Sequence, residues 1–248
     1  MSECEYTQTV ERKRAMRAQA RRARAAIPPD MRAAKSHAIC TRIAEILAEQ
    51  AGGSDPTGIV TCVAASETSF ARSSAHSHSP ASPEQPVRHD RALLAGAVVA
   101  VYAAFPEEAN LDELADACFA QGARVAFPCM NPRESYAAPM HMRAVEADAL
   151  HAGCAPFVTD PLARFAPDDA ALDAFPFVAP EQIDAIIVPL VAFDGAGMRL
   201  GYGGGNYDAY LALLDEKTAV IGAAFREQRV DCVPAEPHDR SLPLIVCA

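Results

Sequence analysis

The sequence predicts an α/β fold in which a mostly parallel β-sheet is covered by helices on both faces. Apolar runs of strand length alternate with helical segments along the 248 residues, which is the order of parallel strands joined by crossover helices. Most of these runs are apolar throughout, as in strands buried on both faces. Half of the residues are hydrophobic and 22% are charged, a balance typical of globular proteins. We therefore predict a single domain over residues 1–248.

Two helices are predicted at the start of the chain. Residues 9–26 are rich in Ala and Arg and contain neither Gly nor Pro, a composition that favours a helix. The sequence Pro28-Pro29-Asp30 ends this helix and begins another, because proline is tolerated in a first turn. The second helix continues to about Gln50, with apolar residues at helical spacing on one face.

Residues from about 66 to 92 interrupt this pattern. They are rich in Ser, His and Pro and have no hydrophobic periodicity, so we predict a flexible insertion that acts as a lid or merely extends the surface. His76 and His78 lie in it, but such a loop does not fix the geometry that a metal site needs. The run 59–65 before the insertion is either a strand or part of the loop.

The remaining chain alternates between strands and helices. Ligands of parallel sheets bind at the carboxyl ends of strands, so the segments after the strands at 97–105 and 183–191 are candidate site segments. The predicted elements are a strand at 97–105, a helix at 111–122, a strand at 124–130, an edge strand at 139–145, a Pro-rich connection at 155–180, and strands at 183–191, 218–225 and 242–247.

The segment GMRLGYGGGNYDAYL, residues 197–211, leads from a strand into a helical pattern that begins near Asn206. Glycine lets backbone amides approach a ligand closely, and a helix N-terminus adds partial positive charge. Together they predict a phosphate cradle; a flexible glycine-rich turn is the alternative. No Gly-Lys-Ser/Thr closes the loop and it lies late in the chain, which excludes a Walker loop and a dinucleotide fingerprint. Its clustered glycines are Gly201, Gly203, Gly204 and Gly205.

This loop has no lysine, so a phosphate bound there needs cations from elsewhere. Arg199 is one candidate, and Lys13 and Arg17 are others because, four residues apart, they project from one face of the first helix. The alternative is that they only solvate an exposed helix. Residues 1–42 carry a net charge of +6, from ten Lys and Arg against four Asp and Glu, in a chain of net charge −10. Such a basic segment binds nucleic acid or contributes to an anionic ligand site.

Carboxylates in three places are candidate ligands. Asp208 follows the glycines, and Asp239 lies with Glu236 and His238 in a turn-rich stretch; two such oxygen ligands suit Mg²⁺. Glu108 follows a buried strand, where it either binds the N–H groups of a polar heterocycle or provides an N-terminal charge for the next helix. Aromatic surface nearby comes from Tyr102 and Phe105.

Other features bear on the compartment. No apolar run is long enough to span a bilayer and the first residues lack the apolar region of a secretory signal, which predicts a cytoplasmic protein. The eight cysteines are scattered without a C-x-x-C pair. That spacing fits neither a zinc site nor a dense disulfide scaffold, so most are expected to be buried, reduced thiols.

The glycine segment resembles the signature of the 5-formyltetrahydrofolate cyclo-ligase family, G-x-R-L-G-x-G-x-G-Y-Y-D-x-Y-L after a strand that ends in Phe-Asp. Here the signature is Phe193-Asp194 followed by residues 197–211. The likeness covers most of the chain outside the insertion, and it implies a three-layer α/β/α sandwich that is Rossmann-like and similar to sugar-phosphate isomerases and CoA transferases. Three further segments agree: Lys13–Arg17 with K-R-x-x-R, Phe105–Leu111 with its Glu108, and Ala224–Gln228 followed by Val233-Pro234 and Asp239.

The resemblance implies an ATP-dependent ligase that cyclises 5-formyltetrahydrofolate to 5,10-methenyltetrahydrofolate with Mg²⁺. It implies that Lys13 and Arg199 are catalytic and that Asp208 and Asp239 hold the metal. Folate binding is implied for Phe105, Glu108, Tyr202 and Tyr207. ATP binding is implied for Lys13, Arg14, Arg17, Arg199, Leu200, Gly201, Tyr202, Gly203, Gly204, Gly205, Asn206 and Tyr207. We interpret the protein as a monomer that acts on small molecules and binds neither membranes nor nucleic acid.

One position departs from the family pattern, and two other functions remain open. Asn206 stands where the family usually has a tyrosine; we expect it to cap the following helix and still to face the ligand, without the contacts of a tyrosine. The first alternative is a sugar-phosphate isomerase, which would need a general base and no ATP. The second is a non-catalytic nucleotide- or RNA-binding paralogue, whose RNA binding would be salt-sensitive.

Overall fold

The computed structural model describes residues 3–51, 60–62, 94–132, 138–234, 236 and 240–248. The helices in these ranges are α1 (Glu3–Ala25), α2 (Pro29–Ala51), α3 (Asp112–Ala120), α4 (Ala147–His151), α5 (Pro156–Thr159) and α6 (Asn206–Leu211), with 3₁₀ turns at Ala170–Leu172, Pro180–Gln182 and Arg226–Gln228. The strands are β1 (Val60–Cys62), β2 (Val98–Ala100), β3 (Arg124–Met130), β4 (Met140–Val145), β5 (Phe177–Val178), β6 (Ala185–Pro189), β7 (Ala192–Phe193), β8 (Arg199–Leu200), β9 (Ala219–Ala224) and β10 (Leu244–Cys247).

Eight strands form one sheet in the order β1-β10-β9-β6-β2-β3-β4-β5. The pairs from β1 to β3 are parallel, while β4 pairs antiparallel with both β3 and β5. The chain runs from β2 to one side through β3, β4 and β5, and then continues on the other side of β2 with β6, β9 and β10. A crevice opens outside the carboxyl ends of strands where the direction changes in this way. Here that place is between β2 and β6.

Helices cover both faces of this sheet. Side chains alternate between the faces of a strand, so neighbours in β6 enter different cores. Ile187 packs in one core with Ile39 of α2 and Leu114 of α3. Ile186 packs in the other core with Tyr210 of α6. The predicted α/β/α sandwich with a mostly parallel sheet is confirmed.

Helix α1 lies outside these layers. Its Ala20 packs with Val191, Ala192 and Leu200, which belong to or border the antiparallel hairpin of β7 and β8. The small alanine side chain lets the helix approach the hairpin closely. This packing places one face of α1 beside the crevice.

The two long helices are the only described helices of a length comparable to a bilayer. Both α1 and α2 have 23 residues, and both carry many charged side chains. In the described ranges, no helix combines the length and the apolarity needed to cross a membrane.

The structure corrects three details of the predicted elements. The predicted edge strand at 139–145 is β4, which is wholly buried and flanked by the two-residue strand β5 at the true edge. The helical pattern of the sequence continues over 207–216, but the helix after the glycine loop ends at Leu211. Asn206 is its first residue rather than its cap, because Gly205 takes the N-cap position at φ +67°. The run at 59–65 forms strand β1 at 60–62, while the predicted insertion at 66–92 lies outside the described residues.

One cysteine pair differs from the expectation of reduced thiols. Cys62 and Cys247 lie opposite each other in β1 and β10 and form a disulfide, with Cα atoms 4.5 Å apart. Their pairing depends on a strand register that cysteine spacing does not reveal. Three other cysteines, Cys40, Cys118 and Cys129, are free and buried, and burial raises the pKa of their thiols to about 12, 12 and 11. These three are buried, reduced thiols, but Cys154 and Cys232 are free and exposed, so the expectation does not hold for most of the described cysteines.

Candidate active site

A cavity of about 640 Å³ opens at the carboxyl ends of β2, β3 and β6. Its floor includes Pro128 and Met130 from β3 and Pro189 from β6. The glycine loop follows the β7–β8 hairpin that leaves the end of β6, and the segment with Glu108 follows β2. Because β6 and β2 are neighbours, both segments line one cavity. Helix α1 adds a further wall through Val10, Lys13 and Arg17.

Two glycines of the loop have a conformation that other residues rarely adopt. Gly203 has φ +97° and Gly205 has φ +67°, in the region where a Cβ atom causes strain. A Cβ on Gly203 would also lie 3.4 Å from the guanidinium carbon of Arg17. The backbone conformation therefore favours glycine at these two positions, while Arg17 lies at ordinary contact distance from the space beside Gly203. Because α6 has only six residues, its dipole adds less positive charge than a long helix would.

The predicted cations of α1 reach this loop. Nε of Arg17 donates a hydrogen bond of 2.8 Å to the carbonyl oxygen of Gly201. The buried Lys13 donates to Glu236, with Nζ and Oε2 2.6 Å apart. Arg14, by contrast, is exposed on the outer surface of the helix and does not line the cavity. Lys13 and Arg17 thus lie at the cavity, and Arg14 lies outside it.

Arg199 and Asp208 form an ion pair within the loop. Nη2 of Arg199 bonds Oδ1 of Asp208, and its Nη1 donates to the carbonyl oxygen of Arg240 at 3.0 Å. The arginine side chain is only 6% exposed, whereas the aspartate is 65% exposed. Both line the cavity, so the carboxylate stays accessible to a ligand that would replace its arginine partner.

Few metal ligands are brought together here. No group of three or more His, Cys, Asp or Glu side chains is placed to hold a metal within the part of the chain that the structure describes. Asp239 and His238 lie outside the described residues. Asp208 remains as one carboxylate at the cavity, and Mg²⁺ bound with nucleotide takes one or two carboxylates together with phosphate oxygens and waters. The donor set at Asp208 fits that mode and does not fit an all-protein cage.

Glu108 is the most constrained carboxylate of the site. It is 6% exposed, accepts the Phe105 N–H at 2.9 Å on Oε2, and accepts the Tyr202 hydroxyl at 2.5 Å on Oε1. Nη1 of Arg24 lies 3.5 Å from the same Oε1. Burial raises the pKa of the Glu108 carboxyl, while these three donors act to lower it. Glu108 also lines the cavity, so it can accept N–H groups from a ligand.

Tyrosines connect Glu108 to the glycine loop. The hydroxyl of Tyr202 accepts a hydrogen bond of 2.9 Å from Nη2 of Arg24, and its ring packs edge-on against Phe105 at 5.8 Å. The guanidinium of Arg21 lies 4.8 Å from the same ring centre, in cation–π range. Burial and the nearby Glu108 raise the pKa of Tyr202 and of Tyr207, so both remain neutral hydrogen-bonding groups.

The cavity also has apolar walls. Met130 and Met140 line it from the sheet, and Val10 and Leu162 line it at the rim. Val10 is 44% exposed and Leu162 is 70% exposed. Exposed apolar side chains at the rim of a pocket are suited to contact a flat, partly apolar ligand.

Sequence reasoning did not find Arg24, which the structure places directly behind Glu108 and Tyr202. A signal was present, because Lys13, Arg17, Ala20 and Arg24 follow helical spacing along one face. The rim residue Leu162 was also missed, since it lies in a connection without periodicity.

Two motif residues support the site without facing it. The buried Asp194 accepts the N–H groups of Ala196, Met198 and Val233, which fixes the turn before the glycine loop. The buried Gln228 donates to the carbonyl oxygens that follow β6.

Comparison with known proteins identifies the family of this chain. A sequence model of the 5-formyltetrahydrofolate cyclo-ligase family matches residues 71–248. The 5-formyltetrahydrofolate cyclo-ligase of Escherichia coli K12 is 31% identical over 149 residues, which cover 60% of this chain and 76% of that protein. The protein of the same name from Mycoplasma genitalium is 40% identical over 70 residues, 28% of this chain and 42% of that protein, so this match spans less than half of that relative.

Solved structures share the fold. A 5,10-methenyltetrahydrofolate synthetase from Mycoplasma pneumoniae superposes with a TM-score of 0.57 at 18% identity, over 94% of this chain and 96% of that one. The 5,10-methenyltetrahydrofolate synthetase of Aquifex aeolicus gives a TM-score of 0.56 at 18% identity, over 95% and 89%. At this identity the likeness concerns the architecture alone.

Proposed function

The chain belongs to the 5-formyltetrahydrofolate cyclo-ligase family, and we propose that it converts 5-formyltetrahydrofolate and ATP to 5,10-methenyltetrahydrofolate, ADP and phosphate. One observation carries the proposal. A single cavity holds a glycine loop with cations beside it and, next to this loop, a buried carboxylate that faces the cavity. These are the parts needed to bring a triphosphate and a polar heterocycle together.

The phosphate half of the cavity consists of the glycine loop with Lys13, Arg17 and Arg199. Backbone amides of such loops and basic side chains bind phosphate oxygens. Phosphoryl transfer depends on positioning and on neutralising the charge that develops on the transferred group. We expect Lys13 and Arg199 to supply that charge when they exchange Glu236 and Asp208 for phosphate oxygens.

The folate half consists of Glu108, Phe105, Tyr202 and Tyr207. A carboxylate can accept two parallel N–H bonds from the amidine edge of a pterin, as it does from arginine. The aromatic rings and the methionine wall provide apolar surface for the heterocycle. Tyr202 belongs to both halves, because it lies in the glycine loop and bonds Glu108.

The reaction then follows from proximity. The oxygen of the N5-formyl group attacks the γ-phosphorus of ATP, the bond to the β-phosphate oxygen breaks, and ADP leaves. N10 attacks the activated formyl carbon and closes the five-membered ring. The phosphate then departs with the formyl oxygen, N10 loses its proton, and the methenyl cation remains. No protein nucleophile is required, because holding the reactants in line lowers the barrier.

Asp208 is the described residue that would hold Mg²⁺, with Asp239 proposed as its partner. When bound with ATP, Mg²⁺ would neutralise charge on the phosphates. Asp208 would release Arg199 as it binds the metal. Arg199 would then be available for the phosphates. We also propose that the protein is a cytoplasmic monomer.

The test is direct. Purified protein is mixed with ATP, MgCl₂ and 5-formyltetrahydrofolate, and the methenyl product is followed by its near-ultraviolet absorbance. We expect product that depends on ATP, with one ADP formed per ring closed; reactions without ATP or with 10-formyltetrahydrofolate as the folate are controls. Absence of product together with salt-sensitive RNA binding would favour the paralogue instead. Isomerisation of a sugar phosphate without ATP would favour the isomerase.

A further inference from the structure

We propose that Arg24 is a positioning residue of the folate half, which orients Glu108 and Tyr202 and supplies the positive charge that the buried carboxylate needs. The proposal rests on the proposed function, because Glu108 is the group that we expect to bind the pterin. Arg24 does not line the cavity. It therefore acts through Glu108 and Tyr202 and not by touching the substrate.

The contacts of Arg24 define this role. Its side chain and that of Glu108 are each 5% exposed. Nη2 donates to the Tyr202 hydroxyl at 2.9 Å, and Nη1 lies 3.5 Å from Oε1 of Glu108. Tyr202 in turn donates to that same Oε1. The three side chains form a closed triangle, so the direction of the carboxylate is fixed before a ligand arrives.

The charge of Arg24 is as important as its geometry. A buried carboxylate without a counter-charge takes up a proton, and a protonated Glu108 would lose one of its two acceptor oxygens. Arginine stays charged throughout the accessible pH range. Among the described ionisable groups that these contacts place around Glu108, the cation is Arg24 from α1; the others are Tyr202 and Tyr207 from the glycine segment, Tyr102 after β2, and the neighbouring Glu107.

Lysine could not replace both functions. The planar guanidinium presents two nitrogens to two acceptors at once, whereas an ammonium is a point charge on a flexible stem. Arg24→Lys therefore keeps the charge and loses the fixed geometry, while Arg24→Gln loses the charge. These two variants separate orientation from electrostatics.

The kinetic test compares Arg24→Gln, Arg24→Lys and Arg22→Gln, an exposed arginine of the same helix that serves as control. We expect Arg24→Gln to raise the KM for 5-formyltetrahydrofolate about tenfold or more, with the KM for MgATP changed less than about twofold. The acid limb of its kcat/KM profile should move to higher pH, because removal of Arg24 raises the pKa of Glu108. Arg24→Lys should keep the acid limb of the wild type but should show part of the increase in the KM for folate. Arg22→Gln should match the wild type in both.

A second measurement does not depend on turnover. In protein with ¹³C-labelled glutamate, the Glu108 carboxyl is assigned by comparison with Glu108→Gln and titrated by NMR. We expect its pKa to be higher in Arg24→Gln than in the wild type, and unchanged in Arg22→Gln. If the wild type forms no methenyl product, the proposed function fails, but this titration still decides whether Arg24 controls Glu108.

Other outcomes would overturn the proposal. An Arg24→Gln protein with the wild-type titration and the wild-type KM for folate contradicts it. Equal increases in both KM values with an unchanged acid limb indicate a purely structural role and also contradict it. Should Arg24→Gln fail to fold, Arg24→Lys provides the test, and a KM for folate equal to that of the wild type would then refute the positioning role.

Discussion

In the proposed phosphate half, Arg199 is paired with an exposed carboxylate, whereas the carboxylate of the proposed folate half, Glu108, is buried and held by three donors. The side chain of Asp208, the partner of Arg199, is 65% exposed, while that of Glu236, the partner of Lys13, is only 13% exposed. Glu108 and Arg24, in contrast, are each 5% exposed. In the proposed function, a phosphate would replace the accessible Asp208 beside Arg199, whereas a pterin would bind a carboxylate whose direction is already set.

This difference teaches how one cavity can serve two unlike ligands. A highly charged ligand forms strong interactions wherever cations are available, so exchange of ion partners suffices. A neutral heterocycle gains little from charge alone and requires acceptors in a fixed geometry. The following variants test this contrast, in order of decreasing expected effect.

Glu108→Gln should have the largest effect. The amide offers one acceptor oxygen in place of two and leaves the buried Arg24 charge without its carboxylate. We expect kcat/KM for 5-formyltetrahydrofolate to fall by about a hundredfold or more, while ATP still binds when measured by calorimetry. Glu107→Gln, an exposed neighbour, is the matched control. An equal loss in both variants would contradict the role of Glu108.

Lys13→Ala should act on the other ligand. Loss of one charge-assisted hydrogen bond to phosphate costs about 1.5–3 kcal/mol, which corresponds to roughly 10- to 100-fold in kcat/KM for MgATP. The affinity for folate in the absence of ATP should be nearly unchanged, as measured by fluorescence titration. Arg12→Ala, at the exposed position before Lys13, controls for the charge of the helix. Full turnover in Lys13→Ala would contradict the proposed role of Lys13 in phosphate binding.

Tyr202→Phe tests the link between the halves. The change removes the hydroxyl that bonds both Glu108 and Arg24 but keeps the ring against Phe105. We expect the KM for folate to rise roughly five- to tenfold, about 1 kcal/mol, and the KM for MgATP to rise less. A larger effect on ATP than on folate would place Tyr202 wholly in the phosphate half.

Ionic strength should have the smallest effect, with different changes in the KM values for MgATP and for folate. The exposed Asp208 beside Arg199 is screened by salt, while the buried pair of Arg24 and Glu108 is screened much less. Between 0.05 and 0.3 M KCl, we expect the KM for MgATP to rise about twofold or more, and that for folate to change less. Both values come from initial rates at fixed free Mg²⁺. Equal changes in the two KM values would contradict the proposed electrostatic difference between the two halves.

Local pattern was sufficient to predict much of this molecule. Apolar runs identified the parallel strands, and the glycine segment and Glu108 line one cavity at the expected edge of the sheet. The strands are shorter than expected, since β2 ends at Ala100 and the β7–β8 hairpin separates β6 from the glycines. The strand β5 has only two residues, which is too short to show hydrophobic alternation, so β4 was expected at the edge of the sheet. The end of α6 at Leu211 and the N-cap at Gly205 depend on the fold of the loop. The helical composition of the segment does not predict them.

The contacts of the site were harder to predict than its segments. Arg24 shares a helical face with Lys13 and Arg17, but its role depends on the packing of α1 against the β7–β8 hairpin. The disulfide of Cys62 and Cys247 likewise depends on the pairing of β1 with β10. Both are consequences of tertiary packing, and no local propensity encodes them.

The contacts that build the cavity join residues that are far apart along the chain. Arg24 and Glu108 are separated by 84 positions, Tyr202 and Glu108 by 94, and Lys13 and Glu236 by 223. Contacts that close long loops form late in folding, because the chain must first lose the corresponding entropy. During refolding, recovery of catalysis should therefore lag behind recovery of helical signal. Turnover is then a stricter measure of a completely folded chain than its secondary structure.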